Sequence, residues 1–153
     1  MPDNADTPLT VADLLERIDA SWSALLATLE DLTDEQLEEP GAVGEWSVKN
    51  TLGHIGYWDD KGCEQVALAL AGQPLAFDDF ENMNQADHAA RLGRTLAEER
   101  AAMHQAHAAL VAAMEERKAL DAAAIETEIA DFTYEHYDDH AQDVRTWREQ
   151  RGY

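Results

Sequence analysis

The chain has 153 residues, 45% of them hydrophobic, with Lys+Arg 11 against Asp+Glu 32 and a formal net charge of −21. That is enough apolar material for one domain with a sizeable core, and too much for a disordered chain. So negative a field repels phosphate backbones and anionic membrane surfaces, so charge alone predicts no nucleic-acid partner and no membrane partner.

Residues 1–9 read as an N-terminal tail ahead of a single domain at 10–153. The opening Met-Pro-Asp-Asn-Ala-Asp is acidic and has no apolar stretch of the signal-peptide kind. No apolar run approaches membrane-spanning length, so a cytoplasmic protein is expected. Thr10 caps the first long helix, with Asp13 three residues on. Val11, Leu14, Leu15, Ile18, Trp22, Leu25, Leu26 and Leu29 form its apolar stripe. Thr33 to Gln36 is a second capping signal, opening a short turn that Pro40 and Gly41 close.

Ser47 caps the second long helix, whose apolar residues are Val48, Leu52, Ile55, Val66 and Leu70, and Gly72-Gln-Pro74 ends it. Cys63, on this helix, is the only cysteine, which excludes an intramolecular disulfide and a thiolate zinc cluster. A linker spans 72–81, then a short helical piece reaches about 92, where Gly93 interrupts it. The capping box Thr95-Leu-Ala-Glu98 starts the third long helix, with Leu96, Met103, Leu110 and Met114 facing inward. The last helix is predicted as one piece from about 124 to 149. Four long amphipathic helices and no convincing strand define an all-α four-helix bundle.

His136 and His140 stand one helical turn apart in Tyr-Glu-His-Tyr-Asp-Asp-His. At ~100° per residue they share a stripe with Ile129, Thr133, Val144 and Trp147, with Phe132 on its edge. Two inward imidazoles at this spacing bring two neutral nitrogen donors within reach of one metal ion. Two donors hold a divalent ion weakly, so a third is expected from a facing helix. On helical spacing His54 lies roughly 120° off the second helix's stripe, beside Trp58, which marks a boundary residue. His107 and His104 lie roughly 60° and 120° off the third stripe and read as surface or boundary residues. His88 reads as solvated or hydrogen-bonded.

Trp46-Ser-Val-Lys-Asn-Thr-Leu-Gly-His54-Ile resembles the second-helix signature of the DinB/YfiT-like superfamily of metalloenzymes. Leu32 to Leu37 and Pro40 to Trp46 resemble its lead-in, and Phe80-Glu-Asn-Met-Asn84 the segment before its third helix. Thr133 to His140, continuing through Val144-Arg-Thr-Trp147-Arg, resembles its last helix. The resemblance implies an up-down-down-up bundle with a long crossover between the second and third helices, at 72–81. It also implies a metal held by His54, His136 and His140. Three imidazoles suit zinc, nickel or iron and leave coordination positions open.

Relatives of this kind include mycothiol-dependent maleylpyruvate isomerases and bacillithiol-type S-transferases. The implied reaction is metal activation of a low-molecular-weight thiol cosubstrate for transfer to an electrophilic small-molecule substrate. The alternatives are a hydrolase that uses a metal-bound water, and a non-catalytic metal-binding bundle of a stress response. A homodimer is compatible with the family and with alanine-rich helix faces. Glu99 lies within roughly 20° of the third stripe, so it needs a partner, either a salt bridge or the metal site. Asp139 and Glu135 read as solvated. Trp58, Tyr134 and Tyr137 are candidate pocket walls. Arg145 and Arg148 are candidates to meet an anionic substrate, although their place at the negative end of the last helix accounts for them without function.

Overall fold

Each long helix but the last opens where a side chain can take up the free amides of its first turn. Reciprocal capping boxes join Thr10 to Asp13, Thr33 to Gln36, Ser47 to Asn50 and Thr95 to Glu98. The computed structural model describes residues 7–73, 77–117 and 121–153. Seven α-helices occur among them: α1 (Val11–Ala27), α2 (Asp34–Glu38), α3 (Val48–Leu70), α4 (Phe80–Arg91), α5 (Leu96–Glu115), α6 (Ala122–Ile129) and α7 (Tyr134–Arg151). No strand forms among the described residues, only an isolated bridge between Val43 and Trp46. None of their helices is long and apolar enough to cross a membrane.

Side-chain pairings give the helix directions. Gly53 lies against Glu99, Gly56 against Met103 and Gly62 against Leu110, so α3 and α5 run parallel. Arg17 meets Glu126, Trp22 meets Tyr137 and Arg148 meets the Thr28 carbonyl, so α1 runs parallel to the α6–α7 arm. Asp59 meets Tyr137 while His54 meets His140, so α7 is antiparallel to α3. Parallel neighbours cannot be joined by a tight turn, and the connection from α3 to α5 travels back along the bundle. It contains α4, which buries no residue fully. Residues 74–76 of the expected linker, Pro74 among them, lie outside the described residues. Gly72 at φ 66° follows the end of α3.

Leu14, Ile18 and Leu25 of α1, Leu52, Ile55 and Val66 of α3, Met103 and Met114 of α5, and Tyr137, Val144 and Trp147 of α7 meet in the core. Two elements differ from the sequence expectation. Leu70, placed on the apolar stripe, is 39% exposed at the last residue of α3. The last helix is broken: α6 passes through a 3-10 turn (Ala130–Phe132) and restarts after Thr133, whose φ −122° and ψ −109° are not helical. The Thr133 hydroxyl donates to the Ile129 carbonyl at 2.8 Å, taking up an acceptor the break would leave open.

Candidate metal centre

The break in the last helix builds one wall of the site. It turns Phe132 inward onto Trp58 of α3, ring centroids 5.4 Å apart and planes 18° from parallel. The helix that restarts one residue later carries His136 and His140. His54 faces them from the middle of α3, only 8% exposed. The helical wheel misjudged it because α3 is buried on almost every side, by α2, α4, α5, α6 and α7, and so has no single apolar stripe.

His136 Nε2 lies 3.0 Å from His54 Nε2 and 2.9 Å from His140 Nε2. The donor atoms of all three rings fall within 4.8 Å of one another. Burial is the main reason that all three imidazoles titrate below the ordinary value. His54 is brought down to about 3, helped by His140, Arg91 and His88. His136 is lowered well below its usual range, with His140 and His54 adding to the burial. For His140 the lowering is opposed by Asp143 and Asp139. All three are therefore neutral at pH 7, the form that donates to a metal.

This donor set fits a divalent ion. Two N–H donors cannot share the one Nε2 lone pair of His136, and one proton on that atom cannot fully satisfy both neighbours. A cation at the common point takes up all three lone pairs. His140 Nδ1 lies 3.2 Å from Asp143 Oδ2, so the tautomer that donates to the carboxylate leaves Nε2 for the shared centre. His136 Nδ1 is buried without a hydrogen-bond partner among the described residues. The Trp46 ring meets His54 edge-on at 5.0 Å and stacks on His88 at 4.9 Å.

The histidines open onto a pocket of about 710 Å³. Trp58, Phe80 and Phe132 line its apolar side. Asn84 and the carboxylates of Glu128, Asp131, Asp139 and Asp143 line the polar side. Trp58 Nε1 donates to Asn84 Oδ1 at 2.8 Å, which fixes the amide and leaves its N–H groups for other partners. Asp139 is exposed as expected, yet it reaches the pocket rim; Glu135 does not line it.

Several residues fall elsewhere. Glu99 is 2% exposed and ion-paired with Arg91 at 3.2 Å and Arg94 at 2.5 Å, the salt-bridge alternative of the sequence reading. Tyr134 lies outside the pocket, donating to Glu126 at 3.1 Å. Tyr137 also lies outside it, fully buried, donating to Asp59 Oδ1 at 2.6 Å. His107 is half-buried, as the boundary reading has it: it stacks on Trp22 at 3.7 Å, and its Nδ1 is 3.1 Å from the Tyr137 hydroxyl. Arg148 donates to the carbonyls of Thr28 and Glu30, tying α7 to the end of α1. Cys63 is absent from the pocket lining, and burial pushes its thiol up to about 11. Sequence reasoning missed Asp143, although its position three residues after His140 on one helix was a usable signal.

Fold and site together define an all-helical bundle with a three-histidine group able to hold a metal ion. The chain belongs to the DinB superfamily, whose family model matches residues 17–143. A comparison with curated proteins gives no match. Among solved structures, an uncharacterised protein from Escherichia coli UTI89 is similar at TM-score 0.80 and 17% identity, over 95% of this chain and 96% of that one. The colibactin self-resistance protein ClbS, in complex with a dsDNA, is similar at TM-score 0.74 and 16% identity, over 94% and 98%. The sibling lethal factor precursor DfsB follows at TM-score 0.70 and 14% identity, over 95% and 98%.

The ClbS complex corrects the expectation of no nucleic-acid partner. A protein of this fold holds duplex DNA, so net charge was too coarse a criterion: binding depends on the local surface, not on the sum over the molecule.

Proposed function

We propose that this protein is a metal-dependent enzyme that activates a low-molecular-weight thiol for transfer to an electrophilic small molecule, with His54, His136 and His140 as the metal ligands. The observation that carries the reading is the meeting of three neutral imidazoles at the wall of a pocket of small-molecule size. A bound divalent ion there supplies Lewis acidity, lowering the pKa of a thiol or water. The chain's own residues hold and orient. Asp143 fixes the His140 tautomer and Trp46 packs against the His54 ring. Trp58, Phe80 and Phe132 shield one side from water. Cys63 lies outside the lining with its thiol pushed up to about 11, so the nucleophile arrives from solution.

The test compares metal-loaded protein, metal-free protein and His140→Ala on a panel of bacterial thiols with a model electrophile. Conjugation should require metal and His140. Equal rates in all three preparations overturn the reading. Turnover that needs metal but no thiol replaces it with hydrolysis. Metal content itself is measured by elemental analysis of protein purified without a nickel column.

A second reading rests on one observation, the dsDNA bound by the similarly folded ClbS. Duplex DNA is then a partner of this chain as well. Fluorescence anisotropy with a labelled duplex at low and physiological salt tests it, with steep salt dependence expected of phosphate contacts. No binding at low salt rejects it.

A further inference from the structure

The pocket beside the three histidines has two chemically different sides that face the same space. One is aromatic: Phe132 stacks on Trp58, and Phe80 lies 5.5 Å from Trp58 while remaining 41% exposed. The other is anionic: four carboxylates line it, and among the described residues no lysine or arginine does. We propose that this pocket selects a substrate that carries a positive charge next to a flat apolar body, of which an arylalkyl ammonium is a small representative. The inference deepens the proposed function and rests on its reading of this pocket as the substrate site.

Among the described residues no lysine or arginine pairs with these four carboxylates. Asp139 has no side-chain partner among the described residues. Glu128 accepts from the neutral amide of Gln65 at 2.8 Å. Asp143 faces the His140 ring, Oδ2 to Nδ1 at 3.2 Å. Asp131 stands beside another carboxylate, Glu135. Among the described residues Lys61 pairs with Glu64 at 2.9 Å and Arg91 with Asp87 and Glu99, while Arg145 donates to the Gln142 amide oxygen at 3.4 Å rather than to a lining carboxylate. One divalent ion on the histidines leaves the lining net negative, so the preference does not depend on whether metal is bound. The aromatic side adds to it, because the ring faces attract a cation as well as an apolar body.

Isothermal titration calorimetry on the full chain, zinc-loaded and metal-free, tests this with three probes of one shape: phenethylamine, phenethyl alcohol and 3-phenylpropionate. The amine should bind at least about tenfold more tightly than the alcohol, with the carboxylate weakest. In Asp131→Asn combined with Asp139→Asn, both exposed positions, the gap between amine and alcohol should shrink to about threefold or less. Circular dichroism checks that this variant is folded, and the single substitutions serve if it is not. Alcohol or carboxylate binding as tightly as the amine overturns the inference, as does a gap unchanged in the folded variant. An amine preference that persists in protein unable to bind zinc upholds it, while the metal reading falls.

Discussion

Alanine at His136 or His140 removes one of the three nitrogen donors that meet at the centre. Either variant should lose stoichiometric zinc, read by elemental analysis after dialysis, with affinity down by at least about a hundredfold. Two metal-retaining variants would show that the ion, if present, sits elsewhere. Behind this group lies a second set of buried polar residues with a different consequence. His107 titrates down at about 4, chiefly through burial, with His104 adding to it. Its unfolded form takes up a proton near the ordinary 6.5, so the stability tied to its neutrality is present above that pH. It is lost as pH falls through the folded value. The urea midpoint should therefore drop between about pH 6.5 and 4, and less steeply in His107→Phe, which keeps a ring against Trp22. Asp59 has the opposite sign. Burial raises its carboxyl well above the ordinary value, so its contribution is present below that value and lost as pH rises. Asp59→Asn keeps an oxygen to accept from Tyr137 and removes the ionisation. It should be more stable than the parent at pH 7, and a lower urea midpoint would refute this.

The α3–α5 contact makes a prediction at the level of the element. A Cβ on Gly56 would meet the Met103 backbone at 3.1 Å, whereas one on Gly62 would meet the Leu110 side chain at 3.4 Å. Backbone cannot swing aside, so Gly56→Ala should cost about 1–3 kcal/mol. Gly62→Ala should gain about 0.5–1 kcal/mol from helix propensity. Thermal unfolding of the two variants decides, and equal shifts would show that the helices are not held at this separation.

The capping boxes at Thr10 and Thr95 were legible because they depend on residues three apart. The His136–His140 pair was legible for the same local reason. The break at 130–133 was not, because the apolar spacing of Ile129 and Phe132 suits a continuous helix and the turn is imposed by packing against Trp58. His54 was legible only through the resemblance of its motif, since periodicity says nothing about a helix surrounded by others. The aromatic side of the pocket joins Trp58, Phe80 and Phe132 from elements distant in sequence, which no local pattern records.

Across the whole molecule a formal charge of −21 on 153 residues sets carboxylates against one another. Added sodium chloride screens that repulsion, so the Tm should rise by a few degrees between low ionic strength and about 0.5 M. A falling Tm would mean that the ion pairs of Glu99 and Glu126 outweigh the general repulsion. Because α3 and α5 run side by side in one direction, the chain must make a return journey outside the core, and α4 lies on that journey. The same segment supplies Phe80 and Asn84 to the pocket while burying nothing fully. Ligand choice can thus be rewritten in a stretch on which folding makes few demands, while the histidines stay on helices that cannot change. In such an architecture, descendants can exchange substrates without renegotiating the fold.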